Sequence, residues 1–250
     1  MVNVTFVGGP TALLQYAGMR WLTDPTLSPP GTYDGLSKTS SPALSADEIG
    51  DVDVVLLSHD HHSDNLDPEG RRFLPRAKLV LTTVSGAQRL GANSTGLVPW
   101  ESFDFHGPDG AVTVTALPAL HGPAGSEETM GQVVGFLLSG AGLPTVYVSG
   151  DNASVEVASE IAARVGQIDL ALLFAGAVQL SHRFAGAYLT LSADRAAQVT
   201  EILNARAVVP LHFEGWTHFT QGIEQVRSAF AGYGLGDRLV ILERGATATF

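Results

Sequence analysis

Apolar positions fall into two patterns along the chain, strict alternation and short unbroken runs, and their order predicts the elements. NVTFV alternates, and TALLQY and MRWLTD flank a turn at Ala17-Gly18, so residues 3–24 read as a strand followed by a hairpin. DVVLLS (53–58), KLVLTT (78–83) and DLALLFAG (169–176) are continuous apolar runs, as expected of strands covered on both faces. AVTVTALPAL (111–120) alternates, and VVGFLLS and PTVYVS form a hairpin around Gly140-Ala141-Gly142. AVVPLH (207–212) and LVILERG read as the last two strands. Helical spacing occurs near 85–91 and again at Val157, Ile161 and Val165, where Gly166 supplies a stop. A helix capped by Ser192 buries Ala196, Val199 and Leu203, and one capped by Thr220 buries Ile223, Val226 and Phe230. Pro25 to Ser45 lacks periodicity and reads as a long surface loop bordering a functional site. Hairpins alternating with strand–helix units predict two mixed sheets with helices on the outer faces, in one domain over 1–250.

Composition narrows the chemistry. With 14 Lys+Arg against 25 Asp+Glu, the net charge of -11 disfavours a nucleic-acid partner. The chain has no cysteine, so thiol catalysis, Fe–S clusters and Cys-zinc sites are excluded, and any metal is held by His and carboxylates. No apolar run approaches the roughly 20 residues of a membrane helix, and MVNVTFVGGP does not resemble a signal peptide. The expectation is a cytoplasmic protein without a membrane partner.

Five of the eight histidines fall where strands end. Ser58-His59-Asp60-His61-His62-Ser63-Asp64-Asn65 follows a buried strand and places three histidines and two aspartates within six residues. Neutral imidazoles and carboxylates in this density suit zinc, manganese or iron. His121 (Leu120-His121-Gly122), Asp151 (Ser149-Gly150-Asp151-Asn152) and His212 (after AVVPL) are each ordinary alone. All three follow apolar strands, whose loops can converge on one cleft.

This order of motifs resembles the metallo-β-lactamase superfamily of hydrolases over nearly the whole chain. GGPTALLQYAGMRWLTDP and Tyr188-Leu189-Thr190-Leu191-Ser192 resemble its ascorbate-6-phosphate lactonase-like branch. The resemblance implies an α/β fold, an αββα sandwich with a one- or two-metal site along one edge of the sheets. The family pattern His-x-His-x-Asp-His does not fit this loop in one register. Anchoring on His59 and His61 places Ser63 and Asp64 last; anchoring on Asp64 and Asn65 makes His62 the second histidine and puts Asp60 first. A bulge reconciling the two favours His59, His62 and Asp64 as ligands, with His61 as the alternative. In either register Asn65 or Asp64 stands where the final histidine is expected, and Gly9 stands where many lactonase-like relatives have a histidine.

By the family's arrangement, His59, His62 (or His61) and His121 hold one metal, Asp64 and His212 hold a second with a weak contribution from Asn65, and Asp151 bridges them. Zn2+, one or two per chain, is the first choice, with Mn2+ or Fe2+ as alternatives. A water between the metals becomes the nucleophile, and Asp64 orients it or accepts its proton. His182 and His218 are candidates to bind substrate or protonate a leaving group, and Arg183 suits an anionic group on a small-molecule substrate. His106 reads as a turn residue, and Trp216 and Phe219 as packing residues. The implied function is a metal-dependent hydrolase of a small ester, lactone or phosphodiester. The competing readings are a non-catalytic metal-binding module of the same fold and a nuclease of the same superfamily.

Overall fold

A computed structural model describes residues 1–180 and 184–250. Its organisation follows from strands whose successive side chains enter different layers. In Leu170–Phe174, Leu170, Leu172 and Phe174 join one apolar cluster, while Ala171 and Leu173 join another. Val52–Leu56 divides in the same way: Val54 and Leu56 face the first cluster and Val55 faces a third. An unbroken apolar run is what a strand needs when both of its faces are covered.

Among the described residues, one sheet has seven strands in the order Thr247–Thr249, Val2–Gly8, Thr11–Tyr16, Met19–Thr23, Val52–Leu56, Ala77–Thr83 and Ser94–Leu97. It is antiparallel up to Met19–Thr23 and parallel from there on. The second has six strands: Ala207–Leu211, Leu170–Phe174, Val146–Val148, Val134–Ser139, Gly110–Pro118 and Ser102–Gly107. Its first three run parallel and the remainder antiparallel.

The inner faces pack on each other through Val4, Leu14, Trp21 and Leu56 on one side and Val114, Phe136, Leu172 and Val209 on the other. Outside the first sheet, Leu22, Val55 and Val80 pack against Ile49, Phe73 and Leu74 from short helices. Outside the second, Tyr147, Leu173 and Val208 pack against Ile161, Val199 and Phe230 of the helices Val155–Arg164, Ala193–Ile202 and Ile223–Gly232. These layers make an αββα sandwich, burying apolar side chains worth about 1.5–3 kcal/mol each.

Local expectations fail in instructive places. Residues 25–45 contain the hairpin Gly31–Tyr33/Leu36–Lys38, turning at Asp34-Gly35, a dipeptide that supplies the two positive φ values of 48° and 83°. The helix after Thr220 begins beyond it, with Gly222 as N-cap; Thr220 Oγ1 donates to the Ala177 carbonyl instead. Leu239 makes only an isolated bridge to Val208, and the closing strand is Thr247–Thr249. His106 lies within Ser102–Gly107, an edge strand, and not in a turn. No helix among the described residues is long and apolar enough to cross a membrane.

Candidate metal centre

Loops from both sheets meet at one edge of the sandwich. The first sheet supplies the segment after Val52–Leu56. Asp24, at the end of Met19–Thr23, accepts the Ser58 backbone N–H and hydroxyl, each at 2.6 Å. Val134 N donates to the Ser58 carbonyl at 3.1 Å, which ties this loop to the second sheet. The chain then turns at His62, whose carbonyl accepts from Asn65 N and Leu66 N.

Two donor sets result: His59, His62 and His121, and Asp64, Asp151 and His212. In the first, His62 Nδ1 lies 3.0 Å from His59 Nε2 and 3.3 Å from His121 Nε2. Their protonation follows from their outer partners. The Ser58 hydroxyl gives its proton to Asp24 and therefore accepts one from His59 Nδ1 at 2.9 Å. His121 Nδ1 donates to the Leu189 carbonyl at 2.7 Å. The Nε2 atoms of His59 and His121 are then both bare acceptors aimed at His62 Nδ1, which has at most one proton to offer. Burial and the adjacent His62, His61 and His121 push the His59 imidazolium well below its ordinary range, leaving it neutral.

The second set is acidic and fully buried. Asp64 Oδ2 lies 3.5 Å from His212 Nε2, and Asp151 Oδ1 lies 3.4 Å from His212 Nδ1. Burial pushes Asp64 up, but the adjacent His212 ring and the hydrogen bond from His218 outweigh it and hold this carboxyl well below the usual range. Burial pushes His212 down, yet the Asp151 and Asp64 carboxylates raise it overall. Asp151 Oδ2 faces back toward the first set, 3.6 Å from His121 Nε2 and 4.0 Å from His59 Nε2.

The residues fit a divalent metal centre. Among the described residues, Asp151 Oδ2 and both ring nitrogens of His212 are buried without a hydrogen-bond partner, which native interiors rarely tolerate. Tetrahedral ligation at about 2.0–2.1 Å places imidazole nitrogens roughly 3.3 Å apart, comparable to the separations in the first set. His212 also has φ 56°, a strained conformation for a residue with a side chain, fixed by its N–H donating to the Gly9 carbonyl at 2.7 Å.

Several expected residues fall elsewhere. His61 lies outside both sets, its Nε2 2.6 Å from the Met130 carbonyl. The turn at His62 carries that ring inward and leaves His61 against Gly131, where a Cβ would come within 2.6 Å of the ring. Asp60 is engaged by Arg89 at 2.5 and 2.9 Å and takes no part in either set. Asn65 Nδ2 donates to Asp24 at 3.0 Å and Asp151 at 3.1 Å, so the amide acts here as a hydrogen-bond donor. His218 Nε2 bonds Asp64 Oδ2 at 2.8 Å and borders the cleft above the donors. His182 and Arg183 lie outside the described residues.

At Gly9, φ is +58°, and a Cβ would point toward Thr26 Oγ1 and Trp216 Nε1, 3.4 and 3.7 Å away. A histidine there would need a left-handed backbone and the space that Trp216 fills. Sequence reasoning missed Asp24, which burial pushes up to about 7 against the hydrogen bonds of Ser58 and Asn65. Its signal was the Asp-Pro at the end of the first hairpin.

Fold and donor sets define the class as a metal-dependent hydrolase of the metallo-β-lactamase superfamily. The family model described as "Beta-lactamase superfamily domain" matches residues 19–213, and the chain belongs to that family. A "UPF0173 metal-dependent hydrolase" of Pyrococcus furiosus is 25% identical over 259 residues, covering 98% of each chain. An N-acyl-phosphatidylethanolamine-hydrolyzing phospholipase D of Caenorhabditis elegans is 26% identical over 231 residues, covering 84% of this chain and 63% of that one. Among solved structures, an isothiocyanate hydrolase from Delia radicum gut bacteria superposes with a TM-score of 0.84 at 21% identity over 99% of both chains. These likenesses leave the lactonase-like branch unsupported.

Proposed function

We propose that this chain hydrolyses a small ester, lactone or phosphodiester, using divalent metal held by His59, His62 and His121 and by Asp64, Asp151 and His212. The observation that carries this reading is the convergence of bare imidazole nitrogens on the unpartnered Asp151 Oδ2 beneath an open cleft. Three imidazoles favour zinc in the first set, while the carboxylate-rich second set also suits manganese or iron. When bound, such an ion supplies Lewis acidity, which polarises a carbonyl or phosphoryl oxygen and lowers the pKa of water.

The protein's own groups do the rest. Asp24, through Ser58, and the Leu189 carbonyl fix the rings of His59 and His121. Asp64 stays ionised and orients His218 by the 2.8 Å bond to Nε2. His218 is then the group placed to hand a proton to the leaving oxygen. The phospholipase D name of the C. elegans relative keeps phosphodiesters within the substrate set.

The test is elemental analysis of stripped and reconstituted protein, paired with a screen of esters, lactones and phosphodiesters. Bound metal with turnover is expected. Failure to retain metal at micromolar zinc or manganese would overturn the proposal.

A further inference from the structure

His121 and Asp151 approach within 3.6 Å through Nε2 and Oδ2, yet they follow strands that do not pair with each other. His121 follows Gly110–Pro118, Asp151 follows Val146–Val148, and Val134–Ser139 lies between the two. Strands two places apart in a sheet are separated by about 9–10 Å. The ladders therefore leave the approach of these two groups unset, and other bonds must draw their loops together.

The side chain of Asn152, wholly buried, supplies one such bond. Its Oδ1 accepts from Leu120 N at 3.1 Å, one residue before His121, while its own backbone adjoins Asp151. The same oxygen accepts from Ser154 N at 3.1 Å, and Nδ2 donates to the Ser154 carbonyl at 2.8 Å, which fixes the plane of the amide. A backbone bond runs beside it, from Ala153 N to the Leu120 carbonyl at 2.8 Å. Leu120 is thus held at both of its polar groups by the turn that carries Asp151. The position asks for an acceptor and a donor on one short planar group. Leucine, of similar shape, offers neither, and aspartate would turn a second oxygen toward the Ser154 carbonyl.

The turn is itself anchored from the helix Ala193–Ile202. Arg195 Nη1 donates to the Ala153 carbonyl at 2.8 Å, and its Cζ lies 5.4 Å from the centroid of the Tyr188 ring. Tyr188 precedes Leu189, whose carbonyl accepts from His121 Nδ1. These contacts close a circuit around the imidazole: Asn152 holds the backbone before His121, and Leu189 holds the ring.

We infer that Asn152 is a positioning residue, setting the separation of His121 from Asp151 before any ion binds; this rests on the metal centre proposed above. Without its amide the His121 loop keeps only the Ala153 bond to the turn, and a metal must itself draw the imidazole into place. Removing a group that orients a ligand weakens metal binding by about 10- to 100-fold.

The experiment compares Asn152→Ala with Ser154→Ala in the full chain. Ser154→Ala is a control within the same turn. It removes the hydroxyl that caps Val155–Arg164 through Val157 N, and leaves the backbone N–H and carbonyl that Asn152 uses. Both substitutions should lower the melting temperature of the metal-free protein, Ser154→Ala by about 2–4 °C. Only Asn152→Ala should shift the visible ligand-field bands of the Co2+-loaded protein and weaken Zn2+ binding, by about 10- to 100-fold in a chelator competition. Should Asn152→Ala fail to fold, Asn152→Ser decides the matter: its hydroxyl can keep the turn to Ser154 N but is one atom too short for Leu120 N. Unchanged bands and affinity in the Asn152 variants, or equal changes in Ser154→Ala, would overturn the inference alone. Unmodified protein that takes up neither Co2+ nor Zn2+ would overturn the metal centre and this inference together.

Discussion

The side-chain amide of Asn65 donates to Asp151 across 3.1 Å, and the same nitrogen reaches Asp24 at 3.0 Å. The amide nitrogen is thus committed to two carboxylates, and only the neutral Oδ1, buried without a hydrogen-bond partner, is left to join Asp64, Asp151 and His212; a neutral oxygen is a weaker donor to zinc than an imidazole. The second metal should therefore bind more weakly than the first. Asn65→His should bring two metals per chain at lower metal concentration in a titration. It should also destabilise the metal-free protein by about 1–3 kcal/mol, because two buried carboxylates lose a donor. Two equally tight sites in the unmodified protein, unchanged in the variant, would refute this account.

The register of the histidine loop is decided by a pair of substitutions. His62→Ala removes a nitrogen that stands 3.0 Å from His59 and 3.3 Å from His121, and metal content should fall. His61→Ala removes the contacts of that ring with the Met130 carbonyl and the Asp60 carboxylate, neither of which belongs to a donor set, and metal content should match wild type. His121→Ala should lose metal as His62→Ala does, together with the metal-dependent gain in melting temperature. The opposite ranking of His61 and His62 would reverse the assignment.

Metal uptake at the second set should release a proton. The carboxylates of Asp151 and Asp64 raise His212 above its ordinary range, so it holds its proton to higher pH than a free imidazole, and binding requires the neutral ring. Affinity should accordingly increase with pH, by up to about tenfold per unit, until the raised pKa is passed, and then level off. The first set contains His59, already neutral, and should show the shallower dependence. Competition titrations with a chromophoric chelator at several pH values check both slopes; a steeper slope for the tighter site would contradict the assignment.

His218 separates chemistry from metal binding. It bonds Asp64 but belongs to neither donor set, so His218→Gln should keep metal stoichiometry while kcat falls by about 10²- to 10⁴-fold. Loss of metal on this substitution would instead make His218 a ligand.

Asp67 supports the cleft from a distance. It accepts from Leu27 N, Ser28 N, Gly70 N and the buried Lys38 ammonium. Lys38 in turn ends the hairpin that carries Asp34 and Leu36 to the cleft rim. Asp67→Ala strands that buried ammonium and should cost about 3–5 kcal/mol in denaturant unfolding, with a higher KM. Lys38→Met, which leaves Asp67 its three backbone donors, should cost less.

Sequence reasoning reached the strands that run apolar on both faces and the histidines that follow them, because both signals are local. Val54 and Leu56 against Val55, or Leu172 against Leu173, announce two covered faces without reference to the rest of the chain. The ring of His62 could not be told from that of His61, since the choice depends on a turn closed by Asn65 and Leu66 and on Met130 from a distant segment. Asp24 was invisible as a support for His59 because 34 residues separate it from Ser58. The hairpin at Asp34-Gly35 was legible in principle, but Pro, Ser and Gly around it hid its short strands.

Each donor set straddles the two sheets: His59, His62 and Asp64 come from one, and His121, Asp151 and His212 from the other. The site thus works as a caliper on the thickness of the sandwich. Phe136, Phe174 and Leu56, buried between the sheets, set the gap that the caliper reads. A repacking there that moves the layers by a fraction of an ångström changes donor separations without altering a donor. Inherited variation in metal affinity can therefore reside in side chains that never meet solvent, metal or substrate.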